Sequence, residues 1–193
     1  MISHLYLDLD GVLADFHGAA ARLFGQPDIV DRWPEGVWPM WDVLGITEWA
    51  FWEPIAQIGQ RFWSDSIQPC EWADDLLAWI TQSGIPWSIA TEPTGVHGEL
   101  DGKLAWIKRH LGHNVGWAMT NDKSRLAGPG RVLVDDSDAQ CAAWMNACWG
   151  KGGAEAILFP RPWNALAELA PPAAMANVLE TLEIILEEGG SKP

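Results

Sequence analysis

Asp8 and Asp10 close an apolar run, Leu5-Tyr-Leu-Asp-Leu-Asp-Gly-Val-Leu-Ala-Asp-Phe16, and their spacing suits phosphorus chemistry. Side chains alternate faces along a strand, so carboxylates at spacing two point to one place beyond its carboxyl end. Gly11 follows at once and lets the chain turn sharply with no Cβ in the way. Convergent carboxylates can hold a hard cation. One of them can also attack phosphorus, and the pair outlines a phosphoryl-transfer site.

Such a site needs a rigid scaffold. Runs 2–9, 86–91, 115–119, 131–135 and 154–159 are short, apolar and bounded by turn residues, and they predict strands. Helical patterns lie between them. Residues 71–83 place Trp72, Leu76, Trp79 and Ile80 on one face and stop at Gly84. Residues 98–111 predict an apolar stripe of Leu100, Leu104, Ile107 and Leu111, with Lys103, Lys108 and Arg109 on other faces. A shorter helix is expected over 137–147. An amphipathic one is expected over 173–188, with Met175, Val178, Leu179, Leu182, Ile185 and Leu186 inward and Glu180, Glu183, Glu187 and Glu188 in water. No order is expected over 189–193.

This alternation predicts an α/β fold: a Rossmann-like parallel sheet flanked by helices, with ligands beyond the carboxyl ends of the strands. The stretch 17–70 breaks the pattern. It is rich in Trp, Pro and Gly, with helical periodicity around 18–25 and 47–60. The expected division is a catalytic core of 1–16 and 71–193, with 17–70 a small helical cap inserted after the first strand.

With 193 residues the chain can bury one sizeable core. A net charge of −14 argues against duplex nucleic acid and anionic membranes as partners. A small anionic substrate would need a metal and a few local cations to offset that field. Cys70, Cys141 and Cys148 are odd in number and lack zinc-like spacing, which suggests a reducing compartment. The first residues show neither a secretion signal nor a long apolar span, so the expected location is cytoplasmic. A homodimer is left open. Among fourteen tryptophans, seven (Trp33, Trp38, Trp41, Trp49, Trp52, Trp63 and Trp72) crowd one stretch. Most are expected in the core, with two or three lining a pocket that stacks a planar ring.

The run from Asp8 to Phe16 resembles the first motif of the haloacid dehalogenase superfamily of phosphatases, and more narrowly its 5'(3')-deoxyribonucleotidase branch. Three later segments follow in the same order. Ile89-Ala-Thr91-Glu-Pro93 ends a strand where the superfamily keeps a phosphate-binding Ser or Thr. Thr120-Asn-Asp-Lys123 supplies a lysine, and Arg131-Val-Leu-Val-Asp135-Asp136 supplies an acidic strand end. The run Lys103 to Gly112 is similar to the branch's helix before the lysine loop. Taken singly, Asp135-Asp136 reads as a helix N-cap, Thr91 as a strand end and Lys123 as a solvated lysine; together and in order they form a set. His97 and His110 receive no role.

The resemblance implies a HAD-like core with Asp8 as nucleophile and Asp10 as general acid, later base. It implies Mg2+ held by Asp8, the backbone carbonyl of Asp10, and Asp136, with Asp135 a ligand or an orienting group. Thr91 and Lys123 would hold phosphoryl oxygens. Phe16, matching a base-holding phenylalanine of the branch, and Trp41 are the pocket candidates. Glu92 departs from the branch, which places small polar residues beside this anion site, and the tail beyond about 165 runs longer than the resemblance explains.

The expected function is a Mg2+-dependent phosphatase acting on (deoxy)nucleoside monophosphates. One alternative keeps the chemistry on another small phosphate ester, such as a sugar or amino-acid phosphate. A third is a non-catalytic binding module built on the tryptophan-rich stretch.

Overall fold

The structure is a computed structural model describing residues 2–34, 37–147, 155–169 and 173–190. Five parallel strands form one sheet: β1 (His4–Leu7), β2 (Trp87–Thr91), β3 (Gly116–Met119), β4 (Arg131–Asp135) and β5 (Glu155–Leu158), in the order β3-β2-β1-β4-β5. All five lie within the expected runs. β1 is central, with Leu7 opposite Ile89 on one side and Val134 on the other. Leu5, Leu7, Ile89, Val132 and Val134 are buried on one face, and Ala90 and Leu133 on the other, where Leu133 packs with Trp144, so both faces of the sheet's centre are covered.

This order has its switch point between β1 and β4. From β1 the chain steps outward to β2 and β3, then crosses back to β4 on the opposite side. Crossovers depart in opposite directions there, which opens a crevice beyond the strand ends. Asp8 follows β1 and Asp135 ends β4, so the topology brings them to that crevice. The Asp8 N–H extends the ladder by donating to the Val134 carbonyl at 2.9 Å.

The helices are α1 (Phe16–Leu23), α2 (Met40–Leu44), α3 (Glu48–Ile58), α4 (Ala73–Ser83), α5 (Glu99–His110), α6 (Asp138–Ala147) and α7 (Ala173–Gly190). Asp15 caps α1 by accepting from the Gly18 N–H at 2.9 Å. α4 stops at Gly84, in the left-handed conformation. α7 buries Met175, Val178 and Leu182 and exposes Glu180, Glu183 and Glu187, as expected. The side chain of Glu188, residues 191–193 and Cys148 lie outside the described residues. Cys70 and Cys141 are buried free thiols. Among the described residues no helix is long and apolar enough to cross a membrane.

One helix is rotated relative to expectation. α5 buries Glu99, Gly102, Lys103, Trp106 and Ile107, while Leu100 is exposed. The cause is steric and electrostatic. Gly102 passes directly over the Trp63 side chain and the Gln60 carbonyl, where a Cβ would not fit. Trp106 fills the space beside it and donates its indole N–H to the Ile67 carbonyl at 3.0 Å. Lys103 is thereby carried inward, to carboxylates waiting at the strand ends.

Segment 17–70 leaves and re-enters at one neck. The Asp15 N–H donates to the Gln68 carbonyl and the Cys70 N–H to the Leu13 carbonyl, both at 2.8 Å. Its buried side chains, among them Phe51, Ile55, Phe62 and Trp63, belong to the same apolar cluster as the sheet residues. Of the seven clustered tryptophans, Trp33, Trp63 and Trp72 are buried and Trp41 and Trp52 pack against the core. Trp38 is exposed, as is Trp49 at 70 %.

Candidate active site

The turn after β1 is tied down by its own backbone. The Leu13 and Ala14 N–H groups both donate to the Leu9 carbonyl, at 2.9 and 2.7 Å, and the Gly11 N–H donates to the Ala14 carbonyl. Gly11 has a φ of 80°, and a Cβ there would strike the Asp136 carboxylate. Glycine is thus required by conformation and by the approach of the second acidic strand end.

Lys123, in a 3-10 turn after β3, is buried between two carboxylates. Its Nζ lies 2.7 Å from Asp8 Oδ1 and 2.6 Å from Asp135 Oδ2. Asp135 Oδ1 accepts the Ser137 N–H at 2.9 Å. Asp136 points Oδ2 at the Trp163 indole N–H, 2.9 Å away. Asn164 braces this corner by donating to the Asp136 carbonyl at 2.9 Å and the Phe159 carbonyl at 2.7 Å.

Asp10 belongs to a second buried cation. Lys103 Nζ lies 2.7 Å from Asp10 Oδ2 and 2.8 Å from Glu99 Oε1. It also donates to the Thr91 hydroxyl at 3.1 Å and the Glu92 carbonyl at 2.9 Å. Glu99 is held in turn by Thr94 and by the Gly95 N–H. Asp10 Oδ1 is buried with no hydrogen-bond partner among the described residues.

Burial dominates the electrostatics. It pushes the Asp8 carboxyl up to about 6, against the pull of Lys123, with Asp135 adding to the rise. Asp10 is raised by burial against the pull of Lys103. Asp136 is raised well above the carboxylate range by burial and by the charges of Asp8 and Asp135. Burial would lower both lysines, but their carboxylate partners outweigh it and both pKa values rise. Both ammonium groups are therefore permanent charges.

The acidic cluster fits a hard divalent ion. Oxygens of Asp8, Asp135 and Asp136 lie within 4.8 Å of one another, and all three residues are buried. Among the described residues, five carboxylates (Asp8, Asp10, Glu99, Asp135 and Asp136) share only the two lysine ammoniums within ion-pair distance. That deficit of positive charge, in an oxygen-only donor set, suits Mg2+. The Asp10 carboxylate is not among the three converging groups; the contribution expected of Asp10 is its backbone carbonyl.

The cluster forms the floor of a cavity of about 340 Å3. Phe16 and Trp41, the two pocket candidates, line its wall together with Trp38 and Trp52. Phe16 stacks on Trp63 with ring centroids 5.4 Å apart and packs at 6.0 Å from Trp52. Glu92 also lines the cavity, and its Oε2 accepts from the Gln140 amide at 2.7 Å. Its partner is thus an amide and not a cation. Thr91 is buried, its hydroxyl oxygen taken by Lys103 and its own O–H left as a donor.

Two residues of the site escape sequence reasoning. The leucine pattern puts Lys103 on a polar helix face, although its spacing of four from Glu99 is a visible signal. His17 lines the cavity and stacks on Trp163 at 3.7 Å. Burial and the Arg161 charge lower its pKa to about 3, so it is a neutral ring. Nothing local in the sequence distinguishes it.

The sequence matches no protein-family model and no curated protein. Among solved structures, the chain is similar to a hydrolase from Pseudomonas syringae, at 16 % identity over 88 % of this chain and 98 % of that one, with a TM-score of 0.45. It is similar to a HAD family hydrolase from Deinococcus radiodurans R1 with bound phosphate and sodium, at 19 % identity over 86 % of each chain and a TM-score of 0.47. A third is CbbY from Rhodobacter sphaeroides in complex with xylulose-(1,5)bisphosphate, at 18 % identity over 90 % of this chain and 99 % of that one, with a TM-score of 0.48.

Proposed function

We propose that this chain is a Mg2+-dependent phosphomonoesterase of the haloacid dehalogenase type, acting on (deoxy)nucleoside monophosphates. The observation that carries the reading is the placement of Asp8. It belongs to a trio of buried carboxylates, is bridged by Lys123, and floors a cavity walled by aromatic rings.

In this reading an Asp8 oxygen attacks phosphorus and the ester P–O bond breaks, leaving an aspartyl-phosphate. Asp10 hands its proton to the departing alkoxide. It then takes a proton from the water that attacks the aspartyl-phosphate, releasing inorganic phosphate and restoring Asp8. Burial that raises the Asp10 pKa supports its role as an acid. Lys123 and the Thr91 hydroxyl hold phosphoryl oxygens, and the lysine offsets charge growing in the transition state. A divalent ion held by Asp8, Asp136, Asp135 and the Asp10 carbonyl would supply the positive charge that lets a carboxylate approach a phosphate. Phe16, Trp41 and Trp52 stack the base. Two buried free thiols agree with a cytoplasmic, reducing location.

A second reading, another small phosphate ester such as a sugar phosphate, is favoured by Glu92 and Gln140. They put an acceptor and a donor suited to hydroxyl groups beside the cavity. A panel of nucleoside monophosphates and sugar phosphates assayed with Mg2+ separates the two. Higher kcat/KM on nucleotides is expected. Equal or better turnover of sugar phosphates would overturn the nucleotide assignment and leave the phosphatase chemistry standing.

A further inference from the structure

A second cavity, of about 790 Å3, lies outside the carboxylate cluster. Its depths are formed by Trp33, Cys70, Trp72 and Arg161, all buried. Arg161 is the unusual member. Only 6 % of it is exposed, yet no carboxylate lies within ion-pair distance of its guanidinium among the described residues. Its Nε is buried without any hydrogen-bond partner among them. The guanidinium is held instead between two indoles, 4.7 Å from the Trp72 ring and 4.5 Å from the Trp163 ring. Cation–π contacts fix its position but satisfy none of its N–H donors. Leaving buried charged donors unpaired is costly, and a planar guanidinium facing a cavity matches a carboxylate through two parallel hydrogen bonds.

The mouth of the same cavity has the opposite charge. Asp31, Glu71 and Glu168 line it and are exposed. A fourth carboxylate, Asp15, also lines the cavity and is paired with Arg22 at 3.4 Å, so a ligand with two negative charges would gain one cation and meet four acids. A ligand with one carboxylate and a positively charged far end would satisfy both ends, with a flat or apolar body against Val30 and Trp33.

We propose that this cavity binds a small zwitterion, its carboxylate on Arg161 and its ammonium toward the acidic mouth. The bound carboxylate accepts from the guanidinium and the body lies along the cavity lining at Val30 and Trp33. No covalent step is involved. Among the described residues the two cavities share no lining residue; they are linked only through the buried Trp163. Trp163 carries Arg161 over its ring, is stacked by His17, and donates its N–H to Asp136.

Calorimetric titration of the full chain with 4-(aminomethyl)benzoate, benzoate and inorganic phosphate tests the proposal without reference to turnover. The expected order is 4-(aminomethyl)benzoate tighter than benzoate, with phosphate not competing. Arg161→Met should weaken 4-(aminomethyl)benzoate at least about tenfold, the loss expected for a charged hydrogen-bonded pair. Should that variant fold poorly, exposed Glu71→Gln combined with Glu168→Gln serves instead. It should remove the advantage of 4-(aminomethyl)benzoate over benzoate. Asp8→Asn should leave the affinity unchanged, which separates this site from the catalytic one. No binding of either carboxylate at millimolar concentration, or binding that ignores both Arg161→Met and the mouth substitutions, would overturn the proposal. So would phosphate competing as well as the carboxylates do, or Asp8→Asn abolishing the affinity.

Discussion

Lys103 Nζ and Asp10 Oδ2 lie 2.7 Å apart, joining the buried face of α5 to the turn that follows β1. The lysine is shared with Glu99 at 2.8 Å, so one ammonium serves two buried carboxylates. It holds the side chain proposed as proton donor, and it links that side chain to the Thr91 hydroxyl.

Removing the ammonium should be expensive. Lys103→Met leaves Asp10 and Glu99 without their cation and should cost about 3 kcal/mol of stability, as for other broken buried pairs. Adding Glu99→Gln to that variant should recover part of the loss. Urea unfolding of wild type, both single variants and the double variant checks this; strictly additive losses would show that the pair is not coupled.

Asp8 makes the metal-free protein pH-sensitive. Its pKa rises from 3.8 to about 6 on folding, so its contribution to stability is complete below the lower value and is lost as pH climbs through the upper one. Asp8→Asn should therefore stabilise the metal-free protein at about pH 7.5 by roughly 2–3 kcal/mol, and should make little difference near pH 4. Thermal unfolding of both proteins in a chelator at the two pH values tests the sign. A destabilised variant at the higher pH would contradict it.

Mg2+ should reverse this trend, because the ion binds ionised carboxylates. At a hundredfold excess over Kd it should stabilise the wild type by about 2.7 kcal/mol. The affinity should increase as pH rises through about 6, where Asp8 ionises. Asp136→Asn should lose most of the effect. A Tm shift of equal size in wild type and that variant would place the ion elsewhere.

How much of this is legible in the chain follows from the kind of signal each residue gives. Asp8 and Gly11 can be read locally, because a strand end and a glycine turn are short-range properties, whereas Asp10 lies past the end of β1 and its carboxylate goes to Lys103 and not to the trio around Asp8. The five strands can be read because each is a short apolar run bounded by turn residues, including the edge strand β3, which buries none of its residues. Lys103 cannot be placed, since the leucine spacing of 98–111 points to a stripe that the structure exposes at Leu100. Gly102 passing over Trp63 chooses the buried face, and that contact spans 39 residues of chain. Trp38, Trp41 and Trp52 sort into one cavity while Trp33 and Trp72 sort into another, by how the segment folds back and not by its composition.

The aromatic wall gives a prediction of its own. Trp41→Ala removes one stacking surface, worth about 1–3 kcal/mol per base, and so should raise KM for a nucleoside monophosphate about fivefold or more. Turnover of a small ester with no ring should barely change. Steady-state kinetics on both substrates gives the comparison, and equal losses on the two would mean that Trp41 shapes the site without holding a base.

The central claim is that Asp8 accepts the phosphoryl group. Acid quenching of the enzyme during turnover of a nucleoside monophosphate with Mg2+, followed by peptide mass spectrometry, tests it directly. The account predicts a phosphoryl adduct on the peptide containing Asp8, located at that residue and absent from Asp8→Asn. An active enzyme carrying the adduct on another residue, or an Asp8→Asn variant that still turns over at the wild-type rate, would contradict it.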